Sequence, residues 1–405
     1  MPPLIATRTL YDHPSDMEPL LPEDGGSQWS RLSLDLIRGA ERLRNSLHPI
    51  TRQVVADLVR SMNSYYSNLI EGHRTKPRDI DAAILKDFSN NPSQRCLQMQ
   101  HLAHMEVQRE MEARLPSMAS SEVCSSEFLC WLHEGFYRRL PAQLQQIQDE
   151  KGKTHEVRPG ELRQAEVSVG RHMAPSSKKL GAFLGRFADF YGPLVSVDPA
   201  SLLAAAAAHH RLAWIHPFLD GNGRVARLFT HAWLAKADVA SDGLWTVSRG
   251  LARRKSDYQA SLANADEKRV NDFDGRGYLS QRYLGEFCTF FLSTSVDQVE
   301  FMGQLLALDG MVSRIVGYAE RREYAKELPR GSALVLRELF LRGEVARGDV
   351  ARIIGASPRT AQKVTGELLR QRLAASSSPK GQLQLCFPAE AAGEYFPNLY
   401  PAGAE

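Results

Sequence analysis

From Trp29 to Arg114, apolar side chains recur every three or four residues, the spacing of one helix face. Leu32, Leu34, Ile37 and Leu43 form one series, and Ile50, Val54, Val55, Leu58, Met62 and Tyr65 a second. The first 25 or so residues are rich in Pro, Asp and Glu and are expected to be a loose arm on the surface. Residues 115–150 and 176–300 are expected to be mainly helical. Residues 157–172 break the pattern. Pro159-Gly160 marks a turn, and Ala165 to Gly170 alternates apolar and polar, which predicts a short hairpin. The expected fold is mainly α: an N-terminal helical region (1–114), a helical core carrying the hairpin (115–300), a helical connector (301–330) and a small separate module (331–390).

The densest chemistry lies at 215–227, IHPFLDGNGRVAR. The Ala-rich stretch before it predicts a helix that stops at His216, because Pro217 disfavours the helical conformation in the preceding residue. A new helix is expected to begin near Gly221–Gly223. Its first amides have no intrahelical partner and, with the helix dipole, suit a phosphate, which the glycines allow to approach closely. Arg224 and Arg227 fall on one helix face and offer forked contacts to phosphate oxygens. Asp220 beside an anion makes sense with Mg2+ between them, since that ion is commonly held by one or two carboxylates plus substrate phosphates. Asn222 can donate to a phosphoryl oxygen, and His216 suits removal of a proton from an incoming hydroxyl. Singly, these are a common turn, a core histidine and a solvated helix face. Gathered in one short window, they point to metal-assisted attack of a hydroxyl on a nucleotide phosphate.

HPFLDGNGRVAR matches the Fic signature HxFx(D/E)GNGRxxR at every specified position, and the chain is identified on it as resembling the Fic-domain family. The resemblance implies a helical fold with a β-hairpin flap that transfers AMP from ATP to a Ser, Thr or Tyr hydroxyl of a protein. By position it makes His216 the general base and Asp220 the Mg2+ ligand. Gly221, Asn222 and Gly223 become the phosphate nest, Arg224 a phosphate contact and Arg227 the holder of the γ-phosphate. Gly223, where the kinase-like branch has lysine, favours AMP transfer over phosphate transfer. Val167, Ser168, Val169 and Gly170 fall where relatives touch the nucleotide, and Tyr258 and Asp266 where they shape the nucleoside pocket. The flap edge is expected to pair with an extended segment of the target protein.

SNLIEG at 67–72, read alone, is a helix end with a glycine cap and a surface Glu71. Beside a Fic signature it resembles the family's inhibitory motif (S/T)xxxE(G/N), which implies that Glu71 pairs with Arg227 and excludes the γ-phosphate. In some relatives this glutamate serves AMP removal, so a deAMPylase is an alternative. A DNA-binding regulator with a nucleotide-sensing core is another.

Residues 331–388 read as three helices and a small hairpin, with Ser357 capping the third helix and Pro358 at its first position. This resembles a winged helix-turn-helix, which would place Arg359, Thr360, Gln362 and Lys363 on an exposed recognition face and make DNA a candidate partner. Winged helices also serve as protein-docking and dimerising modules, so a homodimer stays open. A net charge of +3 over 405 residues is too mild to argue for nucleic acid by itself. No apolar stretch suits a signal peptide or a membrane span, and the cysteines form no CxxC pair. The expectation is a cytoplasmic protein with reduced thiols, its partners being ATP, a hydroxyl-bearing protein target and the chain itself.

Overall fold

The computed structural model describes residues 4–5, 11–23, 26–149 and 152–401. β1 (Leu4–Ile5) precedes four helices, α1 (Gly26–Asn45), α2 (Pro49–Ile70), α3 (Pro77–Ile84) and α4 (Pro92–Arg114). Proline stands at the first turn of α2, α3 and α4, where its missing amide costs nothing. α5 (Ser126–Tyr137) leads to two small hairpins, β2 (Gln146–Gln148) with β3 (Thr154–Glu156), and β4 (Val167–Val169) with β5 (His172–Met173). The first hairpin lies where mostly helix was expected. The second is the expected flap, but its strands occupy only 167–173, and 157–166 is loop. β1 pairs antiparallel with β4, Leu4 opposite Ser168.

The core then runs through α6 (Leu180–Tyr191), α7 (Pro199–Ile215), α8 (Asn222–Lys236), α9 (Val247–Arg253), α10 (Lys255–Ala265) and α11 (Gln281–Leu305). Ala204 to Ala208 on α7 are all buried, and their small side chains let α8 and α11 pack against α7. Trp214, Trp233 and Trp245 fill the space between. The boundary expected at 300 falls inside α11, because its apolar face is continuous to Leu305. No helix of the described residues is long and apolar enough to cross a membrane. The five cysteines are free, and burial raises the thiol pKa of Cys130, Cys386 and Cys288, the last to about 12.

α12 (Leu308–Tyr324) carries the chain to α13 (Ser332–Arg342), β6 (Glu344–Val345), α14 (Val350–Ile354), α15 (Pro358–Arg370), β7 (Ala374–Ala375) and β8 (Leu383–Leu385). Ser357 caps α15 by accepting from the Thr360 amide. The strands form one antiparallel sheet in the order β6-β8-β7. α16 (Ala389–Tyr395) then returns to α12 and α3.

Candidate active site

α7 ends at Ile215, and His216 takes a left-handed conformation, φ 50° and ψ 59°, instead of the extended one that a residue before proline usually adopts. This reversal is held from outside. Arg163, whose side chain is fully buried, donates from Nε to the His216 carbonyl at 2.8 Å and from its other nitrogens to the carbonyls of Ala165, Pro175 and Ile215. Its own amide donates to the Pro217 carbonyl at 3.0 Å. One guanidinium thus ties the loop from His216 to both sides of the flap. Replacing Arg163 by Met is expected to cost about 3–5 kcal/mol in denaturant unfolding, since several buried carbonyls lose their donor at once. Arg163→Lys should recover part of that loss.

The His216 ring has a defined tautomer. Nδ1 faces the Ala213 carbonyl at 3.3 Å, which only accepts, so Nδ1 carries the proton. Nε2 is buried, has no hydrogen-bond partner, and keeps its lone pair. Burial first, and then the charge of Arg163, lower the imidazole pKa from 6.5 to about 4. The ring is therefore neutral at physiological pH and equipped to accept a proton.

Gly221, at φ 80°, caps the start of α8, and a Cβ there would meet the Tyr137 ring at 2.7 Å. Asn222 closes the loop: its side-chain nitrogen donates to the Phe218 carbonyl at 2.8 Å and its oxygen accepts from the Phe218 amide at 2.9 Å, which leaves its second N–H to donate elsewhere. His133 supports the same loop: its Nδ1 accepts from the Gly160 amide, which leaves Nε2 to donate to the Asp220 carbonyl at 3.2 Å. The Asp220 carboxylate accepts from the Tyr137 hydroxyl at 2.6 Å and stands 3.4 Å from Arg224. Burial would raise its pKa, but Arg224 and the Tyr137 hydrogen bond outweigh that and hold it below the usual value.

Arg224 lies over the Phe136 ring, donates to Gln100 and Tyr137, and keeps a buried Nε with no partner, a donor left over for an anion. Among the described residues there is no group of three or more His, Cys, Asp or Glu able to cage a metal. Asp220 alone suits an ion that takes its remaining ligands from water and substrate phosphates.

α2 ends in a Schellman turn: the His73 amide reaches the Asn68 carbonyl, the Gly72 amide reaches Leu69, and Gly72 has φ 93°. The turn aims Glu71 at the start of α8. Arg227 donates from Nη2 to Glu71 Oε1 at 2.5 Å and to the Ser67 carbonyl at 3.0 Å, and from Nε to Ser67 Oγ at 2.9 Å. Burial would raise the Glu71 pKa, but Arg227 and Arg224 outweigh it and keep the carboxylate charged. A Cβ on Gly223 would lie 2.3 Å from Glu71 Oε1. The carboxylate thus rests on the first turn of α8, where a phosphate was expected.

The remaining expected residues divide. Val167 is buried, while Ser168, Val169 and the exposed Gly170 form the flap tip. Tyr258 is buried, with its hydroxyl 2.7 Å from His209 Nε2 and within hydrogen-bonding reach of Arg227. Asp266 caps the end of α10, 3.3 Å from buried His210 and 4.0 Å from His172 on β5. Arg163, His133 and Tyr137 are the positioning residues that the sequence did not disclose.

Residues 124–234 match the model of the Fic/DOC family. Within this part, the chain is 37% identical over 86 residues to the protein adenylyltransferase Fic of Drosophila willistoni, covering 21% of this chain and 17% of that protein. It is 39% identical over 89 residues to the protein of the same name from Nematostella vectensis, covering 21% and 20%. The chain thus spans about a fifth of the length of these curated relatives. A Fic family protein from Desulfovibrio desulfuricans G20, solved by crystallography, shares the fold with a TM-score of 0.51 at 18% identity, over 90% of this chain and 98% of that one. The loop from His216 and the helix start that follows it therefore lie within a domain of the Fic/DOC family, at residues 124–234 of this chain.

Proposed function

We propose that the chain is a protein adenylyltransferase held in check by Glu71. The observation that carries this reading is the unpartnered Nε2 of a neutral His216, which shares one closed loop with the amide-rich start of α8. The name carried by the curated relatives supports it. ATP would seat its phosphates on the first turn of α8, with Arg224 Nε and Arg227 as charged donors. Mg2+, held by Asp220, would offset phosphate charge there. The acceptor hydroxyl of a protein segment laid along the flap attacks the α-phosphorus as its proton passes to His216 Nε2. The bond to pyrophosphate breaks, and AMP stays on the acceptor as an ester.

Glu71 opposes this by filling the γ-phosphate position. Arg227 cannot serve both anions, so bound ATP would lie out of line with the attacking oxygen. The test is the Glu71→Gly protein with cell lysate, Mg2+ and ATP labelled at the α-phosphate. Label should enter protein and should require His216. Label from the γ-position instead would indicate phosphate transfer and overturn the proposal.

A second reading concerns residues 331–388. Three helices, with β6 after the first and β7 and β8 after the third, joined in a sheet of order β6-β8-β7, support a winged helix-turn-helix, and Arg359, Thr360, Gln362 and Lys363 are all exposed on α15. DNA is the partner this face suits. A low-salt mobility shift with duplex DNA is expected, weakened about 10-fold or more by Arg359→Ala with Lys363→Ala, because each lost phosphate contact removes a salt-dependent increment. No shift at any salt would remove DNA from consideration.

A further inference from the structure

Glu71 belongs to a helix that the rest of the chain grips at both ends. At the start of α2, Thr51 Oγ1 donates to the Phe340 carbonyl of α13 at 2.9 Å. Gly343, just past α13, comes so close that a Cβ there would lie 2.4 Å from the His48 ring and 2.7 Å from Ile50. At the other end, the segment after α16 crosses the last turns. Tyr66 donates its hydroxyl to the Leu399 carbonyl at 2.8 Å. The Tyr400 ring lies edge-on to Tyr65, centroids 5.1 Å apart, and parallel to Tyr66 at 6.4 Å. Arg249 on α9 holds this segment in place through the Asn398 carbonyl at 2.8 Å. Leu399 is buried, and α16 is anchored by Arg314, which donates to the Tyr395 carbonyl at 2.7 Å.

Tyr66 immediately precedes Ser67, whose hydroxyl and carbonyl both accept from Arg227. Glu71 follows one helical turn later. A helix moves as a unit over such a distance. To lift Glu71 off Arg227 by shifting the last turns of α2 as a unit, the chain must also break the Tyr66–Leu399 bond and separate Tyr400 from the two rings.

We infer that the 396–400 segment is a clamp that holds Glu71 on Arg227, so that displacing it is a route to release of the site. This rests on the inhibitory reading of Glu71. It adds to that reading a regulatory element supplied from the far side of the 331–388 module. The clamp meets α2 through Tyr65 and Tyr66 and α9 through Arg249, and of these two helices α2 is the one that ends in Glu71.

The test uses the full chain with the single variants Tyr400→Ala, Tyr66→Phe and Glu71→Gly, and each tyrosine variant combined with Glu71→Gly. Self-labelling from ATP with Mg2+ is measured, together with hydrogen exchange of the amides from Ser67 to Gly72 in the ligand-free protein. With Glu71 present, Tyr400→Ala should raise labelling about 3- to 10-fold, the factor expected for loss of ring contacts of this kind. Tyr66→Phe, which keeps the ring and removes one hydrogen bond, should raise it by a smaller factor. Both should speed exchange at the end of α2. With Glu71→Gly, neither tyrosine change should add anything. If both tyrosine variants leave labelling and exchange unchanged while Glu71→Gly raises labelling, the clamp is wrong and the inhibitory reading stands. If Glu71→Gly itself does not raise labelling, the inhibitory reading fails and takes the clamp with it. Equal gains with and without Glu71 also overturn the clamp. A fall in labelling with an unchanged melting temperature counts against it too, and Tyr66→Phe keeps the test open if Tyr400→Ala does not fold.

Discussion

Glu71→Gly is expected to raise AMP transfer roughly 5- to 150-fold, the range that a coupling of about 1–3 kcal/mol between two sites produces. The size follows from the competition at Arg227. In the resting chain, its Nη2 is 2.5 Å from Glu71, and its guanidinium is almost wholly buried. An anion arriving at the start of α8 must displace a carboxylate that is charged and already hydrogen-bonded. Deleting that carboxylate returns the arginine and the space over Gly223 to the phosphate. Ser67 still donates no charge to the site, so its contact with Arg227 is not an equal rival. The check is the rate of label incorporation at saturating ATP, wild type against variant. Equal rates would show that the ion pair is structural and not a brake.

His216→Ala, made in the Glu71→Gly protein, is expected to lower the rate about 10²- to 10⁴-fold, the usual contribution of a positioned general base. The pH profile gives a sharper test of the same residue. Burial lowers its pKa from 6.5 to about 4, so the free Nε2 is available above about pH 4 and is lost to a proton only as pH falls through that value. The rate should therefore hold between about pH 8 and pH 5, where an ordinary histidine would already have lost most of its base form. A half-loss near pH 6.5 would mean that the imidazole is exposed during the reaction, or that another group takes the proton.

Local pattern carried the centre of this site and little beyond it. The stretch from His216 to Arg227 was legible because every group in it lies within one loop and one helix turn, and helix geometry fixes their relation. Glu71 was legible only through its motif, since no local rule links it to an arginine 156 positions away. Arg163 reads in sequence as one more loop cation. Its burial arises only when α7, the flap and the 157–166 loop meet. The partners of Tyr137 and His133 are likewise set by packing, 83 and 87 positions along the chain. The loop-closing bonds of Asn222 to Phe218 were likewise not legible, because only the loop's conformation brings the two together. The hairpin of β2 and β3 was missed because three-residue strands leave almost no alternation to detect. The two-residue strand β1 leaves none.

The left-handed turn at His216 also bears on how the imidazole should be deleted in the laboratory. Alanine at φ 50° carries a steric cost of roughly 1 kcal/mol, which would relax the loop and blur a chemical defect with a conformational one. Asparagine visits that region far more readily, so His216→Asn is the cleaner knockout, and the gap between the two variants would gauge how much of the catalytic loss belongs to geometry.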